Sequence, residues 1–369
     1  LRAFEEISWY SFIFNISQNV IKILALILFV ILGVGSNSSS LSYVAGIFGM
    51  ILLAFVVSKY KLPLLFGKFK LEDSEKSNIR KEILSYSWPL LFSGIISTLF
   101  YWIDSFSIGY YKGAIEVGLY NAAVPIAILM GVVPELFAQL FFPMINKEYS
   151  KKNIELIEEL SKQVGKWILL INLPIFAIFI IFPGAVLNIV FGPQYLAAES
   201  ALRILSIGTL MSSIVIISNY LITMIGKTRL VLMNIVIASV VNIVLNSILV
   251  PMQKIWFIDN SSGLNGAAIA TLISVIILNV LFLIETYKYL SVIPFRRKML
   301  TLFIITALPA ALLFYLRTIF VSNSLATLIT LSAMFGLVYI GLVFATGALD
   351  KNDWMILNSI LKKIGFRRL

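Results

Sequence analysis

The sequence predicts an all-α, polytopic membrane protein with about ten transmembrane helices. Hydrophobic residues make up 60% of the chain, charged residues only 13%, and the mean hydropathy is +0.97. Soluble domains do not have such a composition. Apolar stretches long enough to cross a hydrocarbon core of about 30 Å recur along the chain. They lack the two-residue alternation of barrel strands, and only helices otherwise satisfy backbone groups in lipid.

The apolar stretches place ten spans, each near the roughly 20 residues that a membrane helix needs. The predicted spans are residues 9–34, 41–60, 87–111, 118–143, 167–191, 197–225, 230–250, 264–287, 299–320 and 324–347.

The distribution of basic residues predicts the orientation of the chain. Most of the 29 Lys and Arg residues lie in every second connection, from Lys59–Lys81 to the segment after Lys351. The alternate connections hold only Lys112, Lys254 and Arg317. Short loops rich in Lys and Arg stay in the cytoplasm, so both ends of this chain are expected there, in a multi-pass plasma-membrane protein.

Composition also restricts the chemistry. The sequence contains no cysteine and no histidine, which removes thiolate and imidazole metal sites. No nucleotide-binding glycine-rich motif is present. The net charge of +11 is spread over separate loops that flank membrane helices, a pattern that favours contact with lipid headgroups over nucleic acid. We therefore expect no cofactor, no metal, no nucleic-acid partner and no enzymatic activity.

Two polar intervals interrupt the apolar pattern. The longer, Lys59 to Glu82, mixes lysines with carboxylates and is expected to link two helical bundles. The other, Asn146 to Lys166, predicts either a short amphipathic helix on the cytoplasmic face or a solvated helical loop. The start at Leu1 is neither an initiator nor a signal peptide, so we expect a fragment of a longer protein.

Four segments occur together in a characteristic order and spacing. They are WIDSFSIGYYKGAIEVGLYNAAVPIA at Trp102–Ala127, FGPQY at Phe191–Tyr195, NIVLNSILVP at Asn242–Pro251 and LNGAAIATLIS at Leu264–Ser274. In these segments the chain resembles polysaccharide and O-antigen flippases of the multidrug/oligosaccharidyl-lipid/polysaccharide exporter superfamily. That family has two six-helix lobes joined by a cytoplasmic linker, often with two extra helices.

The resemblance implies a domain organisation in which about four N-terminal helices precede this chain. Residues 1–62 would form the last two helices of the first lobe, 63–86 the linker, 87–290 the complete second lobe, 291–348 the two extra helices and 349–369 a basic cytoplasmic tail.

The resemblance also implies a function. The expected substrate is a polyprenyl-pyrophosphate-linked oligosaccharide, carried from the inner to the outer leaflet by alternating access for polysaccharide biosynthesis, with membrane lipids as the surrounding partners. The resemblance does not fix the oligomeric state, and a monomer is one of the options. One alternative is a cation-coupled multidrug exporter of the same superfamily. Another is a membrane-embedded glycan polymerase, against which the short outer loops count.

Candidate headgroup-binding residues lie in the first and sixth spans. Ser11, Asn15, Gln18 and Lys22 fall on one stripe of a helix. An ammonium such as that of Lys22 within a span is unfavourable unless it faces a watery cavity or an ion-pair partner, so either a pyrophosphate contact or a structural ion pair is open. Arg203 follows Glu199 by four residues, which allows an intrahelical ion pair or, if Glu199 is engaged elsewhere, phosphate binding.

Candidate cation-coupling residues lie in the third and fourth spans. Ser93, Ser97 and Asp104 fall near one line of a helix, with Tyr101 beside them. Asp104 is expected either to exchange a proton or hold a sodium ion, or to serve as a hydrogen-bonded packing residue. Glu135 in the next span is a second candidate. It follows Pro134, and Pro125 and Pro134 are expected to kink that span in a way that alternating access could use.

Small and amide side chains in the seventh and eighth spans predict packing surfaces rather than substrate contacts. They are Asn234, Asn242 and Asn246, followed by Gly266, Ala270 and Ser274.

Overall fold

A computed structural model describes residue 9, residues 12–63, 73–319 and 325–348, and residue 353. The side chains of residues 15, 36, 73–76, 139, 140, 297, 318, 319 and 325 lie outside this description. Within the described residues, ten helical segments are long and apolar enough to cross a membrane, which confirms the predicted fold class. Ser11 and most of the predicted tail at 349–369 lie outside the described residues.

The first of two compact units comprises Leu1–Arg80. Its described helices are a π-helical turn, Phe12–Ser17, that continues into α1, Gln18–Ile31, and then α2, Ser38–Lys61. The two helices approach closely at Gly46, where a Cβ atom would lie 3.0 Å from the Gln18 carbonyl oxygen. Small residues thus bring the α2 backbone against α1, as they do in many membrane helix pairs.

The second unit comprises Lys81–Leu369. Its helices are α3 (Asp73–Tyr111, which begins in the first unit), α4 (Ala114–Ser150), α5 (Ile154–Ile181), α6 (Pro183–Val190), α7 (Glu199–Met224), α8 (Thr228–Leu249), α9 (Leu264–Leu290), α10 (Arg297–Ile319) and α11 (Leu325–Ala345). Strands β1 (Lys254–Ile255) and β2 (Ile258–Asp259) form an antiparallel hairpin between α8 and α9.

Helix α7 lies at the centre of the second unit and packs against α4, α5 and α9. Ala201 and Leu202 of α7 are fully buried in one apolar cluster with Tyr120 and Ala123 of α4 and Ala268 of α9. A cavity bounded by these helices is therefore held in a close-packed frame.

The segment before the fifth predicted span differs from both predicted alternatives. Residues 146–166 do not form a separate surface helix or a solvated loop, because α5 starts at Ile154 and continues into the membrane span. The Asn153 side chain caps the helix by accepting a hydrogen bond from the Leu156 amide at 3.3 Å, and Ile157 is completely buried. The apolar residues of this segment therefore pack inside the protein.

Proline sets the other end of α5. The helix ends at Ile181 rather than running to residue 191, and Pro183 opens the separate helix α6. Phe182 has φ −120° and ψ 42°, outside the helical region, since the residue before a proline disfavours the α conformation.

The start of the third predicted span also differs from the structure. Helix α3 starts at Asp73, ahead of the predicted start at 87, so part of the predicted linker is helical.

Helices α10 and α11 are attached to α5. The Tyr339 hydroxyl of α11 donates to the Leu170 carbonyl at 3.0 Å. Beyond α11, the Asp353 carboxylate pairs with the Lys166 ammonium and accepts from the Trp167 indole at 2.9 Å. Lys166 and Asp353 are both 0% exposed. A buried ion pair with additional hydrogen bonds thus joins the chain after α11 to α5.

Candidate functional site

The Asp104 carboxylate of α3 lies at the centre of a buried polar cluster in the second unit. Its Oδ2 accepts hydrogen bonds from the Tyr120 hydroxyl of α4 and the Thr271 hydroxyl of α9, each at 2.5 Å. Its Oδ1 accepts from the amides of Asn246, at 2.9 Å, and Asn242, at 3.5 Å, both on α8. One carboxylate therefore joins four helices.

Helix geometry explains why these partners converge. Asn242 and Asn246 are four residues apart and lie on one face of α8. The start of α9 approaches the end of α8 so closely that a Cβ on Gly266 would lie 2.5 Å from the Leu249 carbonyl oxygen. This approach places Thr271, little more than a turn further along α9, within 3.1 Å of the Asn242 amide.

The charge of the cluster is uncompensated by a basic side chain. Asp104 is 5% exposed, and none of the described Lys or Arg nitrogens lies within 4.0 Å of its carboxylate. The four partners are neutral donors. In addition, the Oδ1 atom of Asn246 is buried without a hydrogen-bond partner. An intramembrane carboxylate without a counter-ion is a site where a proton or a small cation can be taken up.

A cavity of about 280 Å³ opens beside the cluster. Its walls are mainly apolar, from residues such as Phe100, Leu205 and Leu272, and its polar side chains come from four helices. Those polar residues are Ser97, Tyr101, Asp104, Tyr120, Thr209, Ser212 and Thr271. Three of the four sequence-predicted residues of α3, Ser97, Tyr101 and Asp104, thus line one cavity.

Glu135 is not part of this site. It is exposed on α4, and 15 residues separate it from Tyr120, which corresponds to about 22 Å along a helix. Both predicted kink positions, Pro125 and Pro134, lie inside α4, which continues through them as one helix. Ser93 is also apart from the cluster, because its hydroxyl donates to the Pro89 carbonyl at 2.6 Å.

Lys22 lies in the first unit, on α1. Its ammonium is 4.2 Å from the centre of the Tyr43 ring of α2, a cation–π contact. Gln18 is half-buried one turn earlier, whereas the Asn15 side chain is outside the described residues. Asn15 falls in the π-helical turn, whose hydrogen bonds span one residue more than in an α-helix, so the predicted α-helical stripe does not apply to it unchanged.

Arg203 is engaged by protein groups. Its Nε donates to the Ile180 carbonyl at 3.0 Å, and its Nη2 lies 3.7 Å from the Glu199 carboxylate. A second arginine, Arg317, donates to the Ile181 carbonyl at 2.5 Å. The two guanidinium groups satisfy carbonyls at the C-terminal end of α5 that have no partner within the helix.

Sequence reasoning missed several members of the Asp104 cluster. The sequence pattern does not single out Tyr120 and Thr271, and it predicts that Asn242 and Asn246 lie on a packing surface. The packing prediction describes their burial correctly, since both are 0% exposed. The available signal is a pair of asparagines four residues apart in a mainly apolar span, which indicates a buried polar partner on a neighbouring helix.

The fold and the site define a class: a polytopic helical membrane protein with a carboxylate-centred cavity between its helices. Residues 9–200, just over half of the chain, match the family model described as polysaccharide biosynthesis protein. The chain belongs to that family.

Three relatives are similar to parts of the chain. The chain is 27% identical over 202 residues to a Shigella flexneri protein named as an O-antigen transporter, covering 53% of this chain and 44% of that protein. It is 26% identical over 248 residues to a Haloferax volcanii protein named as a low-salt glycan biosynthesis flippase, covering 67% and 48%. An uncharacterised membrane protein of Methanocaldococcus jannaschii is 24% identical over 264 residues, covering 69% and 50%. The chain spans about half the length of these relatives.

Two solved structures have a similar fold. The lipid II flippase MurJ in an inward closed conformation aligns with a TM-score of 0.64 at 17% identity, over 90% of this chain and 66% of that one. A mutant MATE protein aligns with a TM-score of 0.58 at 16% identity, over 75% and 61%. At these identities the likeness concerns the fold alone.

Proposed function

We propose that the chain translocates a polyprenyl-pyrophosphate-linked oligosaccharide from the cytoplasmic to the outer leaflet of the plasma membrane, by alternating access, for polysaccharide biosynthesis. Membership in the polysaccharide biosynthesis family supports this, as do the names of the O-antigen and glycan flippase relatives. The observation that carries the mechanism is the Asp104 cluster, an uncompensated carboxylate beside a cavity among four helices.

The cluster provides a way to couple cation uptake to helix movement. In the structure the carboxylate accepts from Tyr120, Thr271 and Asn246, and thereby joins α3 to α4, α9 and α8. A proton on Asp104 would remove acceptor capacity and turn one oxygen into a donor, so these hydrogen bonds would have to rearrange. Uptake of one proton would thus loosen a contact that holds four helices in one arrangement.

A sodium ion would act on the same residues in a different way. Sodium requires oxygen ligands, whereas the amides of Asn242 and Asn246 now present their nitrogens to the carboxylate. Rotation of the Asn246 amide would turn its Oδ1, now without a partner, toward the ion. Asp104, Asn246 and the Thr271 hydroxyl would then supply oxygens from three helices, and the cation would replace direct hydrogen bonds between them.

Lys22 is proposed to attract the pyrophosphate of the substrate. Its ammonium lies within a membrane span and contacts an aromatic face, which leaves its donors available to an anion. Arg203 is the weaker candidate, because the Ile180 carbonyl and Glu199 already occupy two of its nitrogens. Both residues carry fixed positive charge that suits a diphosphate.

The proposal includes the orientation. The helix ends that carry most Lys and Arg residues would face the cytoplasm, and the α8–α9 connection, with Lys254 as its only basic residue, would face outward. The chain would act as a transporter rather than an enzyme, with lipid-linked oligosaccharide and membrane lipids as partners.

A second candidate function is cation-coupled export of multiple drugs. The fold likeness to a MATE protein is consistent with it, and so is a mainly apolar cavity with one carboxylate. It predicts an apolar cationic ligand in the Asp104 cavity, whereas a flippase requires an anion site.

The test is mass spectrometry of polyprenyl-linked glycans in cells depleted of the protein, with a protection assay that reports which leaflet holds them. A flippase predicts that one glycan species accumulates on the cytoplasmic side. An unchanged glycan pool together with greater sensitivity to cationic drugs would contradict the flippase and support drug export.

The headgroup residues have their own test. The double variant K22Q/R203Q should insert normally into the membrane and lose transport. The matched control is K147Q/R229Q, which removes the same charge from exposed side chains at helix ends. Normal transport by K22Q/R203Q would refute the role in pyrophosphate binding.

A further inference from the structure

The β-hairpin between α8 and α9 carries two large aromatic side chains that contact almost nothing. Trp256 is 90% exposed and Phe257 is 98% exposed. They form the two-residue turn between β1 and β2, closed by the pairing of Ile255 with Ile258. Two neighbouring exposed aromatic rings at a loop tip form a contiguous apolar patch, and such patches mark sites of interaction with proteins or membranes.

The base of the hairpin is fixed to both helices. Asn260 is completely buried, and its Nδ2 donates to the carbonyls of Leu249 and Met252, each at 2.7 Å. Its Oδ1 accepts from the Gly266 backbone amide at 2.7 Å, and the backbone amide of Asn260 donates to the Gln253 carbonyl at 2.9 Å. One residue thus holds the end of α8, the start of α9 and the hairpin together, so the tip has a defined position.

The backbone at the tip favours a different residue. Trp256 has φ +52°, a left-handed conformation that side chains other than glycine rarely adopt. Two-residue hairpin turns with positive φ at the first central position prefer glycine there. The large ring at Trp256 is therefore not explained by the needs of the turn, and an observed outlier of this kind points to a function.

Helix α8 presents an exposed apolar stripe next to the hairpin. Val240, Val244 and Ile248 recur every fourth residue along α8, Met252 follows beyond its end, and all four are about half exposed. Because α8 is long and apolar enough to cross a membrane, such a stripe suits contact with lipid, and it leads to the base of the hairpin. Its tip is three residues from the Gln253–Asn260 base, about 10 Å in an extended strand.

That reach matches the interfacial region of a bilayer. The headgroup layer extends about 5 to 7 Å on each side of the hydrocarbon core, and tryptophan is enriched there. We propose that the hairpin inserts Trp256 and Phe257 into the interfacial layer of the leaflet opposite the basic loops, and so anchors the α8–α9 pair, which carries Asn242, Asn246 and Thr271, at a fixed depth. The occupant of this surface is lipid. The proposal does not depend on which substrate the protein carries.

The absence of cysteine from the sequence makes the test direct. Single-cysteine variants W256C and F257C would be labelled with an environment-sensitive fluorophore and reconstituted in vesicles of phosphatidylcholine and phosphatidylglycerol. The matched control is S261C, an exposed position beside the hairpin base. Quenching would be measured with a nitroxide on the lipid acyl chain near the headgroup and with aqueous iodide.

Lipid nitroxide should quench the labels at 256 and 257 at least twofold more than the label at 261, and iodide should show the reverse order. Equal quenching of all three labels by iodide, with none by lipid nitroxide, would overturn the proposal and leave a protein partner as the occupant.

A second measurement keeps the native side chain. Brominated lipid should quench the component of tryptophan fluorescence that wild type has and W256F lacks. No quenching of that component would also overturn the proposal.

The variant W256G separates anchoring from folding, since glycine suits the turn. It should keep the wild-type melting temperature in detergent while lipid quenching of a label at Phe257 falls; loss of stability in detergent would instead assign Trp256 a role in folding.

Discussion

Two of the aspartates that the structure describes in the second unit are buried, and they differ in whether a basic side chain lies beside them. Asp353 is 0% exposed and pairs with the Lys166 ammonium, with further hydrogen bonds from Gln163 and Trp167. Asp104 is 5% exposed and accepts four hydrogen bonds, all from neutral groups. The first carboxylate has a counter-ion within the protein and the second has none among the described residues.

This difference separates a structural charge from an available one. A buried ion pair is stable only while both partners are present, so it holds its two segments together and cannot release either charge without a large free-energy cost. A carboxylate held by hydroxyl and amide donors can accept a proton or a cation without breaking an ion pair. Asp353 therefore attaches the chain after α11 to α5, whereas the Asp104 carboxylate has the properties that the proposed coupling role requires.

The largest predicted effect comes from breaking the ion pair. K166M leaves the Asp353 carboxylate buried without its counter-ion, which should lower the free energy of unfolding by about 3–5 kcal/mol. The measurement is SDS-induced unfolding of the purified protein in detergent micelles.

Two variants provide the controls for K166M. The double variant K166M/D353L removes both charges and should recover most of the lost stability. K162M breaks the partly exposed Lys162–Glu158 pair of the same helix, at 2.7 Å, and should change stability by at most about 1 kcal/mol. If K166M resembled K162M, the pair would not hold the segment.

An intermediate effect is expected where α8 meets α9. G266A would place a methyl group against the Leu249 carbonyl and force the helices apart, which should cost about 1–3 kcal/mol and weaken the Thr271 contact with Asp104. G131A is the matched control, because a Cβ at Gly131 meets nothing within 4 Å. Thermal melting of both variants compares them, and equal melting temperatures would show that the close approach is not required.

The smallest change in stability is expected at the site itself. D104N removes the cost of burying an unpaired charge but turns one acceptor into an amide donor that faces the Tyr120 and Thr271 hydroxyls. These two effects oppose each other, so the free energy of unfolding should change by less than about 1 kcal/mol, while transport should fall at least tenfold. S105A is the control, since Ser105 is the next residue of α3 and bonds Asn121 instead, at 3.1 Å. Wild-type transport by D104N would remove Asp104 from the mechanism.

Much of the fold can be predicted from the sequence because a membrane helix needs a stretch of about 20 mainly apolar residues. Ten apolar stretches predicted ten spans, and the structure has them. The errors concern the ends of helices. Hydropathy alone does not predict that α5 begins at Ile154. The charged residues of 154–166 lower the mean hydropathy of this segment, although one face of it is buried by packing against other helices.

The candidate site was predicted only in part. Helical periodicity predicts that Ser97, Tyr101 and Asp104 are neighbours, because all three lie on α3. Their partners lie on other helices, and one sequence does not report contacts between helices. The sequence does not predict the Lys166–Asp353 pair for the same reason, because Lys166 ends the polar interval at 146–166 and Asp353 follows the last span.

The most direct test of a coupling cation at Asp104 is the melting temperature of the purified protein as sodium replaces choline at constant ionic strength, and separately as pH changes. The variants D104N and S105A are measured alongside. Binding of a ligand at 100 times its dissociation constant stabilises a protein by about 2.7 kcal/mol. Wild type and S105A should be stabilised by sodium or by protons, and D104N should lose that response. Identical sodium and pH profiles for wild type and D104N would contradict a coupling site at Asp104.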